Sequence, residues 1–166
     1  MQPKVENIVF ECLWNRDDRE DDRRKVMELW RRYRALEEDV IERRSREIVF
    51  VIKDLDGRVA GVSTVRSVQA KFLNNHFFFE YRCFISPDFR VPGMDTLLSV
   101  KTKTFLEREE DAVSKHKGTL MIIENQELKK AKTLAVWPAS EMVFVGYTTQ
   151  GHHIRVGYFK GVKLDH

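Results

Sequence analysis

Seven residues, Pro87-Asp88-Phe89-Arg90-Val91-Pro92-Gly93, carry the densest chemical signal in the chain. They hold two prolines and a glycine, and Met94, Leu97, Leu98, Lys101, Phe105 and Leu106 follow at helical spacing, so the stretch reads as a tight loop opening a helix. Ahead of it, Phe77 to Ser86 is an apolar and aromatic run suited to a strand in the middle of a sheet, covered on both faces. Strand, loop and helix in that order aim the backbone N–H groups of a helix N-terminus, with their partial positive charge, at the space beyond the strand end. Phosphate is readily held there.

Other candidates are fewer. Glu80 lies inside the apolar run, where an unpaired carboxylate is costly to bury, so it is expected either to pair with Arg82 or another cation or to face a wet cleft. Asn125 follows the run Thr119 to Ile123 and precedes a helix expected from about Gln126, which is an N-cap position. His152-His153 reads as a surface turn rather than a metal site, and His76 and His116 read as lone loop histidines. The sequence contains no Ser-His-Asp order, Gly-x-Ser-x-Gly elbow or Walker loop, so it gives no support to hydrolase or nucleotide-triphosphate chemistry.

The elements that must position these residues follow from periodicity. Asn7 to Trp14 is a short apolar segment expected as a first, edge strand. Arg16 to Glu47 is dense in charge, yet Val26, Leu29, Trp30, Tyr33, Leu36, Val40 and Ile41 recur at three- and four-residue steps, which predicts one long helix or two shorter ones. Its charges read as a solvated face. Ile48 to Lys53 and Arg58 to Val68 form a hairpin about Asp54-Leu55-Asp56-Gly57, and Gln69 to His76 a polar link. The helix after the loop is expected to end near Asp111, with a loop over Ala112 to Gly118 and a buried-type strand over Thr119 to Ile123. Leu128, Ala131, Leu134, Ala135 and Trp137 suggest a helix stopped by Pro138, after which Glu141 to Thr149 and His153 to Tyr158 form a last hairpin.

These residues carry a resemblance. A strand followed by Arg-x-x-Gly-x-(Gly or Ala) at the head of a helix is the pyrophosphate-binding signature of the GNAT superfamily, the acyl-CoA-dependent N-acyltransferases. Arg90-Val91-Pro92-Gly93-Met94-Asp95 resembles it at the first and fourth positions and departs at the sixth. The order of elements is similar to a GNAT domain over nearly the whole chain. The fold class implied is α/β, of the α+β kind: a central mixed, mostly antiparallel sheet of about six to seven strands flanked by helices and closed by a C-terminal hairpin.

The resemblance implies acetyl-CoA or another acyl-CoA as co-substrate and a small-molecule or peptide amine as acceptor. It implies cofactor contacts from Phe84, Ile85, Ser86, Arg90, Val91, Gly93, Met94, Asp95, Thr96 and Asn125, and a general base at Glu80. Asn125 is thus either a cofactor contact or a helix cap, and Glu80 either a base or a structural ion-pair partner. Many GNAT enzymes place an acidic tyrosine on the last helix, but this chain has none between Asn125 and Tyr147. Tyr147, Tyr158 or water takes that role, or no acid is used.

Composition sets the frame. A chain of 166 residues is of ordinary single-domain size, and it is read as one domain over 1–166. With 42% hydrophobic and 33% charged residues it is expected to be globular. Its 29 basic and 26 acidic residues give a net charge of +3 and are interleaved, which argues against nucleic-acid binding. Cys12 and Cys83 are the only cysteines, and Cys83 sits in the buried-type strand, so neither a disulfide framework nor a metal cluster is expected. No apolar run approaches about 18 residues and no leader is evident, so a cytoplasmic protein without membrane partners, monomeric or a homodimer, is expected.

Three functions are consistent with this reading. The first is a GNAT-type acyltransferase. The second is a GNAT fold that has lost catalysis and binds or regulates, motivated by Pro92, which removes an N–H from the loop, and by Asp95, whose charge would repel phosphate. The third is an enzyme similar to the acyl-homoserine-lactone synthases, suggested by Glu80-Tyr81-Arg82-Cys83-Phe84.

Overall fold

The computed structural model describes residues 7–165. Eight strands, β1 (Ile8–Cys12), β2 (Ile48–Asp54), β3 (Val59–Ala70), β4 (His76–Ile85), β5 (His116–Ile123), β6 (Val136–Trp137), β7 (Met142–Tyr147) and β8 (His153–Tyr158), hydrogen-bond in the order β1-β2-β3-β4-β5-β8-β7-β6. β4 and β5 are parallel, whereas β1/β2, β2/β3, β5/β8, β7/β8 and β6/β7 are antiparallel. Five α-helices accompany them among the described residues: α1 (Glu20–Arg32), α2 (Glu38–Ser45), α3 (Met94–Leu106), α4 (Glu110–Lys115) and α5 (Gln126–Ala131). Among the described residues, no helix is long and apolar enough to cross a membrane. Contacts divide the described residues into two compact units, one of residues 7–65 with Arg82–Leu98, the other of Arg66–Tyr81 with residues 99–165.

In the first unit, Val26 and Trp30 of α1 and Ile41 of α2 pack on Leu13, Ile48, Val51 and Val62. Trp30 is 2% exposed and Val26 fully buried, and burying side chains of this size contributes about 1.5–3 kcal/mol each. The expected long helix is two, because the chain breaks at Arg34, which adopts a left-handed φ of 48°; Arg31 and Glu38 pair across the break at 3.0 Å. Lys53 Nζ lies 2.5 Å from Asp22 and 2.8 Å from Glu11, tying α1 to β1 and β2. In the expected hairpin turn, Asp54 Oδ1 accepts from the Asp56 and Arg58 amides, and Gly57 supplies a φ of 78°.

In the second unit, Ala70, Phe78, Leu120, Ile154 and Val156 form the core. Gly118 and Gly157 let β5 and β8 close on one another: a Cβ on Gly118 would stand 2.2 Å from the Gly157 carbonyl oxygen, and one on Gly157 would stand 2.7 Å from Met142 Sδ.

Four expectations are corrected. Residues 112–118 are not a loop; they end α4 and begin β5, so His116, like His76 at the start of β4, belongs to a strand. The helix expected to run to Pro138 stops at Ala131, and Val136–Trp137 is instead a strand paired with β7. That pairing raises the strand count to eight. Finally, β4 is covered on both faces only over Phe79–Tyr81 and its neighbour Phe78, and Cys83 is exposed.

Candidate functional site

The loop between β4 and α3 lies wholly in the first unit. Ser86 leaves the strand with its amide bound to the Ala60 carbonyl at 2.9 Å, and Gly61 permits the approach, since a Cβ there would stand 3.0 Å from the Phe84 carbonyl oxygen. Pro87–Phe89 forms a single 3₁₀ turn. Arg90 then folds back so that Nε donates to the Ile85 carbonyl at 3.2 Å. This uses one of the guanidinium's five donors and fixes the root of an exposed side chain.

Gly93 has a φ of +82°, which a side chain would strain, although nothing lies within 4 Å of where a Cβ would stand. Met94 is buried and donates to the Val91 carbonyl at 3.2 Å, so its amide belongs to the turn. The first bond of the helical ladder runs from the Leu97 amide to Gly93 at 2.9 Å. The amides ahead of it at the head of α3 have no carbonyl partner within the helix. Asp95 and Thr96 are half-buried in that first turn, and Val91 is half-buried before it.

A second layer steadies the loop. Tyr33 of the segment after α1 donates to Asp88 at 2.6 Å and packs on Phe84 at 5.9 Å. The bond to Asp88 raises the pKa of the Tyr33 hydroxyl. Arg58 lies 5.9 Å from the Phe89 ring. Among the expected contact residues, Phe84, Ile85, Ser86, Arg90, Val91, Gly93, Met94, Asp95 and Thr96 are therefore gathered in one continuous turn of chain. Tyr33 and Asp88 were missed by sequence reasoning, because their pairing joins positions far apart in the chain.

The remaining site residues belong to the second unit. Glu80 is 3% exposed and forms an ion pair with Arg66 of β3, the "other cation" the sequence demanded. The signal for Arg66 was present: it is a lone charge within the strand Val59–Ala70. Asn125 caps α5, its side chain accepting from the Leu128 amide at 3.1 Å, while the residue stays exposed. Tyr147 is 64% exposed on β7, its ring packed edge-on against Phe144 at 5.0 Å and His153 at 5.2 Å. Glu80, Asn125 and Tyr147 are thus held by different neighbours.

Two further groups stand out in this unit. Arg155 is 1% exposed, donates to the carbonyls of Lys132, Leu134 and Ala135, and lies 4.2 Å from the Trp137 ring centroid; burial lowers its pKa. His116 is buried against Phe79, with rings 3.7 Å apart and stacked.

Two solved structures share this architecture. An acetyltransferase of the GNAT family from Streptococcus pneumoniae matches with a TM-score of 0.55 at 12% identity, over 92% of this chain and 99% of its own. A possible acetyltransferase from Clostridium difficile 630 matches with a TM-score of 0.52 at 14% identity, over 86% of this chain and 95% of its own. The chain has a GNAT fold. No protein-family model matches the sequence, and no curated protein matches it.

Proposed function

We propose that this protein is an acyl-CoA-dependent N-acyltransferase, with acetyl-CoA the first donor to test and a small-molecule or peptide amine as acceptor. The observation that carries the reading is the turn from β4 into α3, with Arg90 anchored by Nε and Gly93 left-handed at the head of a thirteen-residue helix. Open space about Gly93 and the amides of the first helical turn suit a pyrophosphate. In this reading Arg90 to Thr96 take the pyrophosphate, and Phe84 to Ser86 take the pantetheine arm along the strand. Asn125 is a further cofactor contact, which its cap bond does not preclude.

The thioester then undergoes direct attack. Glu80 takes a proton from the acceptor ammonium, the amine nitrogen adds to the carbonyl carbon, and the carbon–sulfur bond breaks. Tyr147 gives a proton to the departing thiolate, and the second proton shed by the nitrogen as the amide forms restores the Tyr147 hydroxyl. Positioning and polarisation of the carbonyl supply most of the acceleration. The protein is further proposed to work in the cytoplasm as one domain, alone or as a homodimer.

A second reading, a fold that binds without transfer, is favoured by one observation: Asp95 stands in the first turn of α3, where its charge opposes phosphate. Coenzyme A titration separates the two from an unrelated function. Saturating ligand at 100 times its dissociation constant is expected to stabilise the fold by about 2.7 kcal/mol. Arg90→Ala is expected to weaken binding while changing stability by about 0.5 kcal/mol or less. Unchanged affinity in calorimetry would remove the cofactor assignment.

A further inference from the structure

The second unit holds a pair of groups that the acyl-transfer reading leaves unused. Ser67 of β3 is exposed, and its Oγ lies 2.8 Å from Nε2 of His116 on β5. On its other side, His116 Nδ1 lies 3.1 Å from the carbonyl oxygen of Ala112 in α4. A carbonyl only accepts, so Nδ1 must carry the ring proton and Nε2 must present its lone pair to the Ser67 hydroxyl. The ring is held in that pose by stacking on Phe79 at 3.7 Å with an interplanar angle of 18°, and by the edge of Phe77 at 6.4 Å.

An exposed hydroxyl donating to a buried imidazole, itself oriented by a third group, is the arrangement that activates a nucleophile. Burial also holds the His116 pKa below the ordinary histidine value, with Lys115 adding to the shift and the Ala112 bond opposing it. The imidazole is therefore the free base at neutral pH. Side chains alternate along a strand, so Ser67 and Phe79 lie on opposite faces from their neighbours Arg66 and Glu80. The pair is separate from the Glu80–Arg66 ion pair.

We propose that Ser67, with His116 as its base, is a nucleophilic site that accepts an acyl group from an activated ester or thioester. His116 Nε2 takes the Ser67 proton as Oγ adds to the acyl carbon. The bond from that carbon to the leaving oxygen or sulfur breaks, and the leaving group takes the proton back from His116. The product is an ester on Ser67 and a free alcohol, phenol or thiol. The step consumes no oxidant and needs no residue besides Ser67 and His116, and the site does not depend on coenzyme A being bound elsewhere.

The full-length protein incubated with p-nitrophenyl acetate tests this, with peptide-level mass spectrometry as readout. Ser114 is the internal control, an exposed serine whose Oγ donates to the Asp111 carbonyl. Ser67 is expected to gain an acetyl group about 10²-fold faster than Ser114, the lower end of what a positioned base contributes. The rate should rise with pH and level off once His116 is neutral, and His116→Gln should bring Ser67 down to the rate of Ser114. Repeating the incubation with acetyl-CoA shows whether a thioester serves as donor as well as an ester. Equal acetylation of Ser67 and Ser114, or full labelling of Ser67 in a folded His116→Gln protein, overturns the proposal. Should that variant not fold, the wild-type profile decides: a Ser67 rate that climbs in step with hydroxide from pH 6 to 9 without levelling is equally fatal.

Discussion

Glu80 and Arg66 form an ion pair in which the two partners stand in different media: the carboxylate is 3% exposed and the guanidinium 44%. The asymmetry sets what each substitution does. Removing the half-exposed cation takes a counter-charge away from a buried anion, whereas neutralising the anion leaves a cation that water can solvate. Arg66→Ala is expected to lower stability by about 1–3 kcal/mol, Glu80→Gln by less, and the double variant to regain part of the Arg66→Ala loss. Urea midpoints of the four proteins measure the cycle. If Glu80 is the general base, Glu80→Gln also leaves coenzyme A binding nearly intact and flattens the rise of rate with pH.

Asp95 in the first turn of α3 has two uses with opposite consequences. A carboxylate there stabilises the helix by about 0.3–1 kcal/mol, but aimed into the loop it would cancel the attraction for phosphate. Asp95→Gly is expected to leave coenzyme A affinity unchanged and to lower the melting temperature, because Gly93 and Arg90 already shape the turn. A wild-type chain that binds nothing until Asp95 is removed would overturn the acyltransferase reading in favour of a degenerate fold.

Arg155 holds the chain after α5 in place through three carbonyls and the Trp137 ring. Lysine keeps the charge but cannot span three acceptors or lie flat on an indole. Arg155→Lys is expected to cost about 1–3 kcal/mol, since a buried cation loses its charge-assisted bonds to the carbonyls of Lys132, Leu134 and Ala135. For a chain of this size that corresponds to roughly 2–4 °C of melting temperature per kcal/mol. A melting curve that does not move would show that these carbonyls are satisfied without the guanidinium.

The same arginine explains where sequence reading failed. Leu128, Ala131, Leu134 and Ala135 keep helical spacing, and Pro138 offered a natural stop, yet the helix ends at Ala131. The carbonyls at 132, 134 and 135 accept instead from Arg155, and Ala135 also accepts from the Phe144 amide at 2.8 Å. Both donors lie farther along the chain, so local periodicity carries no trace of them. By contrast, β2, β3, β4 and the turn into α3 were legible, because apolar runs, Asp54 to Gly57 and the Pro and Gly punctuation around Arg90 act locally. The loop candidates were found for that reason, and the Glu80–Arg66 and Ser67–His116 pairings, which join separate strands, were not.

His116 gives the fold a pH dependence whose sign can be worked out. Its folded pKa is lowered by burial and by Lys115, against a partial opposing effect of the Ala112 bond. Above the unfolded value of about 6.5, the ring is neutral in both states and the folded protein has its full stability. As pH falls below that value, the unfolded chain takes up a proton that the buried ring resists, so the unfolded state binds more protons and stability declines. Protonation would also turn Nε2 into a donor facing Ser67 and place a charge against Phe79. Urea midpoints are therefore expected to fall between pH 7.5 and pH 5.5, and to fall less in His116→Gln than in the wild type, since the variant has nothing to titrate at this position. The chain carries four other histidines, which is why the difference between the two proteins, rather than either slope, isolates His116. Equal slopes in two folded proteins would mean that His116 takes up its proton as easily in the folded chain as in the unfolded one, and burial would not be holding it neutral.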